Sequence, residues 1–140
     1  MRYLILLSLF ISFTALACPD LSGEYLCKRG SMTASRTIEK TPDGFIITKD
    51  GYTTDYIADG ITVQSMPTSD SVAEGNFVSH CKGDQFIVDL KATLLYDGAV
   101  IGKQVSQSTY QFKNNDLHIT TKVKMKGVPL PTVKEICKLQ

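Results

Sequence analysis

The sequence predicts an all-β fold: one antiparallel meander closing into a small up-and-down, lipocalin-like barrel, or a strongly curved half-barrel, of about 8–10 strands. Three observations predict it. Turn signals recur at short intervals, in Pro42-Asp43-Gly44, Asp50-Gly51, Asp59-Gly60, Gly83-Asp84, Asp97-Gly98 and Asn114-Asn115-Asp116. Between them lie runs rich in Ile, Val, Thr, Tyr and Phe, the residues that fit a pleated surface. Asp-Gly between such runs marks a hairpin, because both residues tolerate positive φ. No segment after residue 17 carries a convincing helical pattern. A two-sheet sandwich is the alternative arrangement.

The expected strands are Gly23–Arg29, Thr33–Lys40, Phe45–Lys49, Tyr52–Ile57, Ile61–Met66, Gly75–Lys82, Phe86–Tyr96, Ala99–Lys113, Leu117–Lys126 and Val133–Leu139. The clearest is Leu117–Lys126. Leu117, Ile119, Thr121, Val123 and Met125 alternate with His118, Thr120, Lys122, Lys124 and Lys126. Successive side chains point to opposite faces, so one face is apolar and the other basic. Phe86, Val88, Leu90, Ala92 and Leu94 form a second core face. In Ala99–Lys113 the apolar phase changes, with Ile101 and Val105 on one phase and Tyr110 and Phe112 on the other. Gly102 lies near the change and predicts a β-bulge. Pro67–Glu74 reads as a polar loop. Closure removes the exposed edges that would otherwise pair with other chains. The lysines opposite the core residues of Leu117–Lys126 argue against an outer-membrane barrel, whose outward face is an apolar belt.

Residues 1–17 have the form of a bacterial-type signal peptide. Arg2 supplies a short positive region, Tyr3–Phe13 an apolar core, and Ala15-Leu16-Ala17 a small-x-small cleavage site. This apolar run is shorter than the roughly 20 residues a spanning helix needs, so no membrane span is expected. Residues 18–140 then form a single domain. Cys18 directly after the cleavage site raises the rival of a lipoprotein acylated there. Cys18, Cys27, Cys81 and Cys137 make an even set, which favours two disulfides in a secreted or periplasmic compartment instead. Four cysteines allow three pairings. The first and last strands of an even meander lie antiparallel, which favours Cys18–Cys137 with Cys27–Cys81. Charge is unevenly spread. Cys18–Gly98 carries 7 basic and 12 acidic residues, and Ala99–Gln140 carries 7 and 2.

The catalytic inventory is small. His80 and His118 are the only histidines. In a strand His80 points away from its neighbour Cys81, which disfavours a shared metal or a dyad. No zinc-type cysteine spacing, Gly-x-Ser-x-Gly elbow or phosphate-cradling glycine loop occurs. Asp43, Asp50, Asp59 and Asp97 sit beside turn glycines and read as turn formers. No enzyme, cofactor, metal or nucleic-acid partner is therefore expected. Two surface features remain. Lys122, Lys124 and Lys126 form a basic strand face, which Lys113 and Lys134 extend. Gly127-Val128-Pro129-Leu130-Pro131 is a rigid apolar loop, in which Val128 and Leu130 either cap an open end or form a portal.

Gly23-Glu24-Tyr25 is similar to the lipocalin opening Gly-x-Trp, with Tyr in place of Trp. Thr54-Asp55-Tyr56 spells a tripeptide that lipocalins carry later in the chain. The resemblance, to small secreted bacterial lipocalin-like barrels, implies a small apolar ligand inside the barrel. Tyr25-Leu26-Cys27 also resembles periplasmic inhibitors of C-type lysozyme. Their Ser-Gly lies in an inhibitory loop, whereas Ser22-Gly23 precedes the first strand here. Cys18–Tyr25 as a whole looks like the opening of other secreted bacterial proteins. The expected function is a non-enzymatic binding protein for a small apolar ligand. The alternative is a protein-interaction or inhibitor module that meets an envelope protein through an exposed loop or the basic strand face.

Overall fold

The computed structural model describes residues 17–140. The expected signal peptide therefore lies almost wholly outside the described residues. Among these the chain forms eleven strands and no helix. They are β1 (Gly23–Arg29), β2 (Met32–Lys40), β3 (Gly44–Lys49), β4 (Tyr52–Ile57), β5 (Gln64–Ser65), β6 (Val72–Lys82), β7 (Gln85–Tyr96), β8 (Ala99–Lys113), β9 (Asp116–Met125), β10 (Val128–Pro129) and β11 (Val133–Leu139). No helix here is long and apolar enough to cross a membrane.

The strands form one antiparallel sheet in the order β4-β3-β2-β1-β11-β9-β8-β7-β6-β5, with β10 added on β9. The sheet curls into a nearly closed barrel. β1 pairs with β11, so the two chain ends close the sheet, and the open seam falls mid-chain, between β4 and β5–β6. Side chains stitch this seam. The Gln64 amide accepts a hydrogen bond from Ile57 N and donates to Asp55 O, each at 2.8 Å. It thus stands in for the peptide groups of a missing neighbour strand. Ser79 Oγ donates to Ile57 O at 2.9 Å, and Gly60 N donates to Ser79 O at 2.9 Å.

The turn chemistry acts as expected. Asp50-Gly51, Asp97-Gly98 and Asn114-Asn115 each place two consecutive residues at positive φ, the backbone of a tight hairpin. Lys126-Gly127 does the same, so β9 ends at Met125 and Lys126 is a turn residue, not the last strand residue. The bulge near Gly102 is present. Leu94 pairs with Gly102 and Leu95 with Val100, leaving Ile101 extra. The Ile61–Met66 strand shrinks to Gln64–Ser65. The Asp59 carboxylate accepts from Ile61 N at 2.9 Å and Thr62 N at 2.8 Å, which curls the chain before it can pair.

The core fills one end of the barrel, the base. Phe45, Phe86 and Leu117 are fully buried there. Phe86 contacts Phe45, Tyr110 and Tyr56 with ring centroids 4.6, 5.4 and 5.7 Å apart, the tilted and edge-on range that aromatic rings favour. The segment before β1 crosses this base and buries Leu21, whose carbonyl accepts a hydrogen bond from Tyr25 Oη at 2.9 Å.

The disulfides correct the expected pairing. They are Cys18–Cys81 and Cys27–Cys137. β1 and β11 do meet, but Cys27 rather than Cys18 lies opposite Cys137 in register, both on the buried face. Cys18 lies on the segment that crosses the base and reaches Cys81, near the end of β6. Two such bonds belong to an oxidising environment.

Candidate functional site

Away from the base the interior changes character. Alternation on β2 puts Arg36 on the inward phase of Ile38, and alternation on β3 puts Lys49 on that of Phe45 and Ile47. On β11, Glu135 shares the phase of Cys137. Register brings these charges together near the open mouth. Arg36 is 6% exposed. Its Nη2 donates to Glu135 Oε2 at 2.8 Å and its Nη1 to Tyr110 Oη at 3.1 Å. Lys49 Nζ lies 3.9 Å from Glu135 Oε1. Arg36 Nε is buried without a partner in the protein, which leaves one donor of the network unsatisfied. Burial pushes the Tyr110 hydroxyl up to about 12, against the opposing pull of Arg36. Burial likewise raises Tyr56 above the ordinary phenol value.

This cluster borders a cavity of about 600 Å³ that opens at the mouth. Ile47, Ile119, Val123 and Val133 give it apolar walls, and Ser108 and Thr121, hydrogen-bonded to each other at 2.9 Å, add hydroxyls. A second hollow of about 290 Å³ lies along the seam, lined by Phe77, Val88, Leu90 and Met66. Thr54 and Tyr56 line both spaces. The site therefore pairs a charged, hydroxyl-rich mouth with a side hollow whose apolar wall of Met66, Phe77, Val88 and Leu90 faces the polar Thr53, Asp55 and Gln64.

The features singled out from sequence fall elsewhere. Val128 and Leu130 are exposed and outside the cavity lining; Leu130 N donates to Val123 O at 2.9 Å, which holds them beside the mouth. Lys122 and Lys124 are exposed on the outer face of β9, and Lys126 bends away in its turn with its stem over Gly102. His80 lies on the seam, with Nδ1 3.8 Å from Asp89 Oδ2. Of Thr54-Asp55-Tyr56, Thr54 and Tyr56 line the cavity. The Glu135 carboxylate and the Cys27 and Cys137 sulfurs lie within 4.8 Å of one another, but disulfide sulfur offers a metal no thiolate. Among the carboxylates, Asp59 is held below the usual range by hydrogen bonds from the Thr62 side chain and from the Thr62 and Ile61 amides, a turn-forming role.

No protein-family model and no curated protein sequence matches the chain. Its own geometry must therefore carry the functional reading.

The alternation rule held the signal for Arg36, Lys49 and Glu135. Each is a charge on a phase that is otherwise apolar within its strand: Ala34 and Ile38 flank Arg36, Val133 and Cys137 flank Glu135, and Ile47 precedes Lys49. The convergence of Arg36 and Lys49 on Glu135, and the contact of Arg36 with Tyr110, 74 residues away, needed the register.

Proposed function

We propose that this chain is a non-enzymatic binding protein of the secreted or periplasmic envelope that holds a small, mostly apolar ligand with a polar end in the barrel mouth. The cavity carries this reading. Ligand sites are typically about 300–1,000 Å³, and the mouth has that volume, with apolar walls of Ile47, Ile119, Val123 and Val133 beside convergent charged and hydroxyl groups. The apolar part of the ligand would occupy the chamber of Phe77, Val88 and Leu90, and its polar end would meet Lys49, Glu135 and the Ser108 and Thr121 hydroxyls. Energetics support the same reading. A buried ion pair rarely stabilises a fold more than apolar residues of equal volume, so Arg36–Glu135 is better explained by recognition than by stability. The two disulfides and the signal-peptide pattern support the compartment.

The test is native mass spectrometry of the disulfide-bonded protein after exposure to an envelope lipid extract. A bound small molecule is expected, and Val123→Trp, which fills the cavity, should abolish it while the fold persists by circular dichroism. A ligand-free spectrum, or binding that survives Val123→Trp, overturns the proposal.

A further inference from the structure

The outer face of β1, β11 and β9 is a separate feature. Register places Lys28 of β1 opposite Ile136 of β11, and Leu26 opposite Lys138. Lys134 of β11 lies opposite Thr120 of β9, two residues before Lys122. These residues occupy the phase opposite the buried Cys27, Cys137 and Ile119, so all face outward. The result is one continuous patch with five lysines: Lys28, Lys122, Lys124, Lys134 and Lys138. None of the five forms an ion pair among the described residues. Leu26 and Ile136, 37% and 44% exposed, lie among the lysines in a shallow hollow of about 520 Å³. The acids on the outward phase, Glu24 and Asp116, stand at one end.

From this we infer that the β1–β11–β9 face docks on an anionic phospholipid bilayer. Charge complementarity selects an anionic partner. The residue types select a diffuse charged surface over a protein. Protein interfaces are enriched in Tyr, Trp and Arg and depleted in Lys, and this patch has lysines, with His118 opposite Ile136, and no Tyr, Trp or Arg. Long lysine stems lying along Leu26 and Ile136, with ammonium groups reaching headgroups, suit shallow attachment to a lipid surface. The charge asymmetry of the sequence thereby acquires a location: the basic C-terminal third supplies Lys122, Lys124, Lys134 and Lys138 to this face.

Co-sedimentation with vesicles tests the inference. The disulfide-bonded protein should sediment with phosphatidylcholine vesicles containing phosphatidylglycerol and not with phosphatidylcholine alone. Binding should fall steeply as salt shortens the screening length. The triple variant Lys122→Gln, Lys124→Gln, Lys134→Gln should bind roughly 100-fold more weakly, since each lysine near an anionic surface contributes about fivefold. Its exposed sites leave the fold intact, to be verified by circular dichroism. Equal binding to both vesicle types, no binding to either, or an unchanged triple variant overturns the inference. Retention on immobilised polyglutamate without vesicle binding also overturns it, and assigns the face to an acidic protein instead.

Discussion

At the base of the barrel Phe45, Phe86 and Leu117 are wholly removed from water, whereas nearer the mouth Arg36 is buried too, at 6% exposure, while carrying a charge. The same sheet builds both regions with the same alternation. At the base the inward positions hold apolar and aromatic residues, the Leu21 segment covers the opening, and the Cys18–Cys81 disulfide fastens that segment. At the mouth the inward positions of β2, β3 and β11 turn charged, and space is left between them. The contrast separates what stabilises the fold from what the fold displays. A packed base can carry stability, which frees the mouth to retain groups that stability alone would not select.

The largest expected effect lies at the base. Phe86→Ala should cost about 3–5 kcal/mol, because it removes a buried ring that touches three other aromatic residues. Urea denaturation measures this; a loss below 1 kcal/mol would mean that the base is not the stabilising end, on the usual scale of core truncations. The mouth should behave in the opposite way. Glu135→Ala strands the Arg36 guanidinium and should cost about 3 kcal/mol, whereas Arg36→Met combined with Glu135→Leu should return to within about 1 kcal/mol of the parent or exceed it. If the double variant is as unstable as the single, the pair is a structural necessity, and the distinction between the two ends fails.

The smallest effect concerns pH. The Tyr110 hydroxyl is raised in the folded state from 10.0 to about 12, so the folded protein binds this proton more tightly than the unfolded chain. Its contribution to stability is complete below pH 10.0 and is lost as pH rises towards about 12. Tyr110→Phe should therefore flatten the alkaline decline in melting temperature. At neutral pH it should cost only about 1 kcal/mol, the value of its hydrogen bond with Arg36. An alkaline decline identical in parent and variant would show that Tyr110 ionises freely, as at a wetter site.

Much of this architecture was legible in the residues. Asp50-Gly51 and Asp97-Gly98 marked their hairpins because few other pairs accept two positive φ values in succession. Leu117–Met125 announced its two faces because side-chain alternation is a property of the extended backbone itself. Ile61–Met66 misled, since its composition suits a strand while the Asp59 carboxylate captures its first amides. The disulfide pairing misled for a related reason. That β1 and β11 meet follows from meander geometry, but which cysteine faces Cys137 depends on register and on the path of the segment before β1.

The sequence by itself determined the strand periodicity, the turns, the even cysteine count and the basic phase of β9, all of which are local properties of neighbouring residues. Only the tertiary structure decided which cysteines bond, where the seam lies, that Gln64 bridges it, and that Arg36, Lys49, Tyr110 and Glu135 share one cavity. The physical reason is that these depend on strand register and barrel curvature. Both are set by how all the inward side chains pack at once, and no single segment encodes them.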